Sequence, residues 1–167
     1  MRQWFYKSNI PCFESVKQHV DSFIDQTQDD KWIYDPWQCP GSRSIEIPVP
    51  QTLHEKIQQQ AKVPLYNQWY IWDYMSAKDL LIHKDTNEPG NGRAMAYIIN
   101  LEGEFENKIY TDDDHTTPLD TVLYGPGESL YLNNSMYYHG GKVLTETRKT
   151  LSCWIDVYDK GLEDVLA

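Results

Sequence analysis

Cysteine is scarce in this sequence of 167 residues, and long hydrophobic runs are missing. The three cysteines, Cys12, Cys39 and Cys153, form no CxxC pair and are odd in number, which excludes a complete set of intramolecular disulfides. The longest uninterrupted apolar run covers only residues 94–99, whereas a transmembrane helix needs about 20 apolar residues. The N-terminus lacks the apolar stretch of a secretory signal peptide. We therefore expect a cytoplasmic protein that does not associate with membranes.

Clusters of Lys and Arg are also missing. The chain has 15 basic and 25 acidic residues, and its formal net charge is −10 at pH 7. Binding to nucleic acid depends on basic side chains that release counterions from the phosphates, and a negatively charged protein repels the phosphate backbone. The composition therefore argues against a nucleic-acid partner. It contains no information on the oligomeric state.

Aromatic residues, in contrast, are abundant, with 12 Tyr and 6 Trp. Such large and partly polar side chains fill a core or line a cavity. Two interpretations remain open at this point for five of them, which either shape a substrate mouth or lid or pack in the core: Trp32, Tyr34, Trp37, Trp69 and Trp72.

Hydrophobic periodicity predicts two helices in the N-terminal part. Residues 14–26 carry apolar side chains at helical spacing. A second helical pattern opens at Pro50 and ends before Pro64, because proline disfavours helical geometry in the residue before it. A short strand is predicted between the two helices, at residues 44–49.

Beyond residue 64 the pattern changes to short strands with Gly, Pro, Asn and Asp between them. The predicted strands cover residues 65–74, 80–84, 94–101, 108–110, 121–124, 129–132, 137–139 and 149–157. Such a series predicts a mainly β fold, a double-stranded β-helix (jelly-roll) barrel with the N-terminal helices packed on one sheet. The length fits a single domain over residues 1–167, with a helical cover at 1–64 and the barrel at 65–158.

A candidate metal site begins with His83 and Asp85, which are two residues apart in a predicted strand. Side chains at this spacing share one face of a strand, so an imidazole nitrogen and a carboxylate oxygen can bind one ion. His139, on a later predicted strand, is the candidate for the third ligand. Two histidines and one carboxylate form the facial triad of non-haem Fe(II) oxygenases, which leaves positions open for other ligands.

The HxD pattern alone has little specificity, because the sequence contains a second copy at His19-Val20-Asp21. That copy lies in the first predicted helix, where residues two apart point to different sides. We expect it to belong to the helix surface.

Arg148 and Thr150 share a face of the last predicted strand. If His139 points into the barrel, the following strand can bring this face close to the metal. A guanidinium group and a hydroxyl group are suited to bind a carboxylate that is held away from water. We therefore predict an anion site beside the metal site.

Six short motifs occur in a fixed order between about residues 70 and 158. They are Tyr74 nine residues before His83, His83-Lys-Asp85, Arg93 followed by Tyr97-Ile-Ile-Asn100, Pro126-Gly127-Glu-Ser-Leu, His139-Gly-Gly-Lys-Val, and Arg148-Lys-Thr150. In this order and spacing, a little over half of the chain resembles the Fe(II)/2-oxoglutarate-dependent dioxygenases, and most closely their prolyl-4-hydroxylase-like branch.

The resemblance implies a specific chemistry. Fe(II) would be bound by the three predicted metal ligands, and no catalytic residue beyond them is implied. The co-substrate 2-oxoglutarate would be gripped at its far carboxylate by Arg148 and Thr150 and contacted by Tyr74. Its decarboxylation to succinate and CO2 would drive the hydroxylation of a substrate C–H bond, and ascorbate is an optional further cofactor.

The chain departs from the branch at three places. Residues 104–108 read Glu-Phe-Glu-Asn-Lys where the family often has a Gly-Gly-Glu/Asp step, and residues 76–78 replace a family glycine after Tyr74. Arg148 stands where collagen-type prolyl hydroxylases commonly use Lys. These departures argue against a prolyl substrate. The barrel has no large insertion, so we expect a small molecule or a peptidyl side chain as substrate.

Three other functions are considered. Nucleic-acid demethylation by a related oxygenase branch is disfavoured, because that branch typically has a second downstream arginine, the stretch after Arg148 contains none, and the net charge is negative. A cupin-like metalloenzyme shares the barrel and does not use 2-oxoglutarate, so it has no need of Arg148 and Thr150. A non-catalytic barrel that serves as a binding module has no reason to keep the triad and the carboxylate grip together.

Overall fold

The computed structural model describes residues 5–61, 64–85, 93–133 and 137–156. These residues form two helices, eleven strands and one short 3-10 helix, Asp29–Lys31. The helices are α1, Phe13–Gln26, and α2, Gln51–Ala61. The strands are β1 Phe5–Asn9, β2 Ile33–Asp35, β3 Ser42–Ile47, β4 Trp69–Asp73, β5 Asp79–His83, β6 Arg93–Glu102, β7 Phe105–Tyr110, β8 Asp120–Tyr124, β9 Glu128–Leu132, β10 Tyr138–Val143 and β11 Lys149–Asp156.

The strands form two antiparallel sheets. The larger sheet has seven strands in the order β1-β9-β6-β11-β4-β3-β2, and the smaller has four in the order β5-β10-β7-β8. Neighbours in these orders are mostly distant along the chain, which is typical of a jelly roll. The predicted mainly β, jelly-roll architecture is confirmed.

Both helices pack on the outer face of the larger sheet. Val16 and Val20 of α1 and Ile57 of α2 are fully buried in one cluster with the outward-facing residues of the central strands. Leu151 and Cys153 of β11 belong to this cluster, because alternate residues of a strand point to the same face. The opposite face of β11 is thereby directed between the two sheets.

A second apolar cluster lies between the two sheets. It includes Phe105 and Ile109 of β7, Tyr124 of β8, and Leu130 and Leu132 of β9. This cluster surrounds the cavity that holds the candidate site.

The N-terminal part contributes more than the predicted helical cover. Three of its segments, β1, β2 and β3, are strands of the larger sheet. The β3 strand was expected at residues 44–49 but ends before Pro48, which has no N–H to donate to a neighbour. Neither β1 nor β2 was predicted, because both are short edge strands of five and three residues without a clear apolar alternation.

Several strand boundaries in the barrel also differ from the prediction. The strand predicted for residues 65–74 is reduced to β4, and Leu65 forms only an isolated bridge with Ile155. The β10 strand runs four residues further than predicted, through two glycines. A Cβ atom on Gly141 would lie 2.3 Å from the carbonyl oxygen of Glu106, so only glycine permits this close approach to β7. The last residue predicted for the final strand, residue 157, and the end of the barrel at 158 lie outside the described residues.

Within the described ranges, neither helix combines the length and the apolar character that crossing a bilayer requires.

Candidate metal and co-substrate site

The three predicted metal ligands lie together at one edge of the smaller sheet. His83 ends β5 and is the direct cross-strand partner of His139 on β10, and Asp85 follows two residues after β5. The two imidazole ring centres are 4.3 Å apart. Asp85 Oδ1 is 3.1 Å from His83 Nε2 and 3.8 Å from His139 Nε2, and one ligand atom from each residue lies within 4.8 Å of the others.

Backbone carbonyl groups orient both imidazole rings. Nδ1 of His83 lies 2.7 Å from the Leu81 oxygen, and Nδ1 of His139 lies 3.3 Å from the Tyr137 oxygen. With a proton on each Nδ1, the lone pair of each Nε2 would bind a metal ion, as in metal sites whose histidines are oriented by a second hydrogen bond. Neighbouring ligands on an ion with bonds of about 2.1 Å are about 3 Å apart, so the donor set fits one divalent ion such as Fe(II).

The two histidines differ in their protonation. Burial lowers the pKa of His139 to about 4, so its ring is neutral near pH 7, as a metal ligand must be. Burial also acts to lower the pKa of His83, but hydrogen bonds with Asp85 and the Leu81 carbonyl outweigh this effect and raise it. A metal ion that binds here therefore competes with a proton shared between His83 and Asp85.

The second HxD copy forms no such group. His19 Nε2 lies 2.7 Å from the carbonyl oxygen of Pro48, and Asp21 pairs with Lys17 at 2.6 Å. Both residues lie on α1, as predicted.

A cavity of about 280 Å³ opens between the two sheets. All six residues predicted for the metal and co-substrate sites line it. His83, Asp85 and His139 reach it from the smaller sheet, whereas Arg148 and Thr150 reach it from the start of β11 in the larger sheet.

Arg148 is 1% exposed, although it is charged. Its Nε donates to Asn100 Oδ1 at 3.1 Å, and its Nη2 donates to the hydroxyl group of Tyr124. The guanidinium carbon lies 3.8 Å from the ring centre of Phe105 and 4.5 Å from that of Tyr74. These contacts fix the plane of the guanidinium group.

Within the described parts of the chain, no acidic side chain neutralises the charge of Arg148. Its Nη1 is buried without a hydrogen-bond partner. Among the described residues, no aspartate or glutamate forms an ion pair with it. A buried charge is costly unless it is paired, and a buried polar atom is almost always hydrogen-bonded. The position is therefore suited to a bound anion.

Thr150 and Tyr74 each bring a further hydroxyl group to the cavity that Arg148 lines. Thr150 is 3% exposed and lies two residues after Arg148 on the same face, as predicted. Burial raises the pKa of Tyr74 well above its usual value despite the opposing effect of Arg148. The Tyr74 hydroxyl group therefore keeps its proton and can donate it to an anion.

Three polar residues of this cavity or its wall were missed as functional candidates. Asn100, the last residue of the Tyr97-Ile-Ile-Asn100 motif, accepts a hydrogen bond from Arg148 at Oδ1 and donates from Nδ2 to the Gly103 carbonyl at 2.5 Å. Tyr124 binds the other end of the guanidinium group, and Asn107 lines the cavity with Oδ1 unpartnered. For Asn100, the available signal was a polar side chain in an otherwise apolar stretch of β6.

The five aromatic candidates have different roles. Trp72 lines the cavity, whereas Trp69 is buried and donates from its indole nitrogen to His54. Trp32 is buried beneath the Arg43 guanidinium group. Tyr34 and Trp37 are exposed, and Trp37 is 80% accessible.

Comparisons with known proteins agree with this arrangement at the level of the fold. No model of a protein family matches the sequence, and no curated protein matches it. The AlkB homologue OsALKBH1 superposes with a TM-score of 0.68 and 11% sequence identity, over 92% of this chain and 99% of that chain. A prolyl-4-hydroxylase from Pseudomonas putida superposes with a TM-score of 0.59 and 11% identity, over 91% of each chain.

Both proteins are 2-oxoglutarate/Fe(II) oxygenases, and both are jelly rolls. The resemblance drawn from the motifs is thus confirmed for the fold: this chain has the jelly-roll fold of the 2-oxoglutarate/Fe(II) oxygenases.

Proposed function

We propose that this protein is an Fe(II)- and 2-oxoglutarate-dependent dioxygenase that hydroxylates a small molecule or a peptidyl side chain. The observation that carries the proposal is the position of Arg148. A buried guanidinium group with an unpartnered Nη1 lies in the same cavity as a two-histidine, one-carboxylate donor set. A 2-oxo acid with a second carboxylate can satisfy both groups, since one end chelates a metal and the other is an anion.

Each end of the cavity has a distinct task in this proposal. His83, Asp85 and His139 would hold Fe(II), which supplies the activation of oxygen and the oxidation of the substrate when bound. Arg148 and Thr150 would bind the far carboxylate of 2-oxoglutarate, and Tyr74 would donate a further hydrogen bond. These contacts place the 2-oxo group at the metal side of the cavity and keep its orientation fixed.

The remaining wall of the cavity would receive the substrate. Tyr70, Trp72 and Trp154 line it from β4 and β11, and all three are half-buried. Large aromatic side chains exclude water from the site, which protects reactive oxidising species from side reactions. No charged side chain stands among these three, so an uncharged carbon centre fits this part of the cavity.

The buried charge also separates the proposal from its rivals. A cupin-like metalloenzyme that does not use 2-oxoglutarate gains nothing from an unneutralised guanidinium group beside its metal. A barrel that only serves as a binding module needs no group of metal ligands. The neighbours of known structure are 2-oxoglutarate/Fe(II) oxygenases, which supports the class, and the substrate is left to experiment.

Anaerobic spectroscopy tests the proposal. Fe(II) and then 2-oxoglutarate are added to the protein, and the visible metal-to-ligand charge-transfer band of the chelate is recorded. The wild type and His19→Ala should show the band, whereas His83→Ala should not. His19 is the matched control because it belongs to the same sequence pattern on the surface of α1.

The outcomes discriminate between the functions. Metal binding without a change on adding 2-oxoglutarate would support the cupin-like alternative. Absence of metal binding in the wild type would support the binding module. If the band appears, formation of succinate from 2-oxoglutarate in the presence of oxygen is the next measurement, and panels of amino acids and peptides are then compared by their stimulation of this turnover.

A further inference from the structure

Asn107 is the polar exception on the inner face of β7. The inward-facing residues on both sides of it, Phe105 and Ile109, are apolar and at most 1% exposed. Asn107 itself is 2% exposed, and its Oδ1 is buried without a hydrogen-bond partner. A buried amide oxygen without a partner costs about 1–3 kcal/mol, so such an atom in a folded protein calls for a ligand or another explanation.

The surroundings of Asn107 indicate which ligand this is. Asn107 lines the same cavity as Arg148 and Thr150. It lies beside the Tyr124 hydroxyl group, whose oxygen accepts from Arg148 Nη2. Two buried atoms without a hydrogen-bond partner, Asn107 Oδ1 and Arg148 Nη1, therefore belong to residues that are connected through a single tyrosine.

The amide can present its donor to an anion. Rotation by 180° exchanges the oxygen and the nitrogen of an asparagine side chain within the same volume. In the rotated orientation, Oδ1 accepts the proton of the Tyr124 hydroxyl group, and Nδ2 is left to donate. Once an anion is bound, Arg148 donates to Tyr124 and to the anion, Tyr124 donates to Asn107, and Asn107 donates to the anion, so each donor and acceptor in the series has a partner.

We propose that Asn107 is a specificity-determining contact of the co-substrate, whose amide donates a hydrogen bond to the far carboxylate of the 2-oxo acid. This inference rests on the proposed function. It adds a contact from the smaller sheet to those of Arg148 and Thr150 on the larger sheet, so the carboxylate is held between the two sheets. Asn107 lies within residues 104–108, where the sequence departs from the motif of the family.

A comparison of two ligands on two proteins tests the proposal. The ligands are 2-oxoglutarate and 2-oxopentanoate, which has the same carbon chain but no far carboxylate. The proteins are the wild type and Asn107→Leu, which keeps the volume and removes the amide. Dissociation constants are measured by calorimetry on the anaerobic Fe(II)-loaded proteins, with 2-oxopentanoate also measured by competition.

The proposal predicts a selective effect. Asn107→Leu should raise the dissociation constant of 2-oxoglutarate about tenfold or more, because a hydrogen bond to a charged group is lost. It should change the dissociation constant of 2-oxopentanoate less than about twofold. Asn107→Asp should weaken 2-oxoglutarate about a hundredfold or more, since a second carboxylate faces the first. The Asp variant keeps the shape of Asn107, so its ordering relative to Leu also holds if the Leu variant folds poorly.

Three results would overturn the inference. Equal weakening of both ligands means that Asn107 has only a structural role. Unchanged binding of 2-oxoglutarate to both variants means that the amide does not reach the carboxylate. If 2-oxoglutarate binds Asn107→Asp more tightly than Asn107→Leu, the far carboxylate does not lie beside residue 107, because an aspartate there should repel it. If the wild type binds neither 2-oxo acid, the proposed function itself is wrong, and this result is distinct from the other three.

Discussion

Replacing Arg148 by Met should separate co-substrate binding from metal binding. The substitution keeps an unbranched side chain of similar length and removes the charge. Arg148 uses Nε and Nη2 for Asn100 and Tyr124, so Nη1 is the nitrogen that remains for a carboxylate. A hydrogen bond to a charged group contributes about 1.5–3 kcal/mol, and a unit charge about 4 Å away contributes up to about 4 kcal/mol at an effective dielectric constant of about 20.

The two contributions overlap, and we take about 3–4 kcal/mol for the loss, which corresponds to a dissociation constant roughly 10²–10³ times larger. Arg148→Lys should raise the dissociation constant of 2-oxoglutarate about tenfold, because the ammonium group keeps the charge but cannot replace the planar guanidinium group held between Asn100 and Tyr124. The affinity for the metal should stay within about threefold in both variants, since Arg148 donates no ligand to it.

The assay is an anaerobic titration of the Fe(II)-loaded protein with 2-oxoglutarate, followed by the visible charge-transfer band. The matched control is Lys149→Met, which removes the same charge from the neighbouring residue. Lys149 points away from the cavity and pairs with Glu102 at 2.6 Å. An affinity of Arg148→Met within threefold of the wild type would refute the assignment, and so would an equal loss in Lys149→Met.

Two further predictions concern the stability of the fold. Gly103→Ala should destabilise the protein by about 2–4 kcal/mol in chemical denaturation, because Gly103 has φ +80° and a Cβ atom would lie 2.1 Å from the Thr147 carbonyl oxygen. Gly125→Ala is the control, since the atom nearest to its added Cβ would be 3.7 Å away. Equal effects of the two substitutions would contradict the reasoning. Burial lowers the pKa of His54 below 6.5, so the unfolded chain binds a proton at this residue at a higher pH than the folded chain does. The free energy of unfolding therefore falls as the pH falls through 6.5. When chemical denaturation is compared at pH 7.5 and 5.5, the free energy of unfolding should decrease less in His54→Gln than in the wild type. Identical decreases would count against His54 as the cause.

The residues of the candidate site that could be predicted are those whose chemistry is visible over short distances in the sequence. His83 and Asp85 share a face because they are two apart at the end of a strand, and Arg148 and Thr150 do so for the same reason. The order of motifs then connected them to His139. Only the pairing of strands explains why His139 lies directly opposite His83.

Tyr124 and Asn107 could not be predicted in this way. Tyr124 ends β8 and Asn107 lies in the middle of β7. Tyr124 reaches Arg148, and Asn107 shares their cavity, only because these strands pack opposite β11. A tyrosine at the end of an apolar strand looks like any core residue until its hydroxyl group has a partner. Strand boundaries suffered from the same limitation, since β1 is defined by its pairing with β9 rather than by an apolar pattern of its own.

The cross-strand position of the two histidines has a consequence for the edge of the smaller sheet. Within the part of the chain that the structure describes, β5 is the last strand of this sheet and pairs only with β10. Outside that pairing, Leu81 N–H donates to the Gln38 carbonyl and Val143 N–H to the Lys78 carbonyl. An ion shared by His83 and His139 would act as a cross-link between β5 and β10, so separation of the two strands at this end would require the loss of the ion. Metal binding and the local opening of this edge are therefore linked. A bound ion makes the opening less favourable, and the opening weakens the binding of the ion, in both cases by the same free energy.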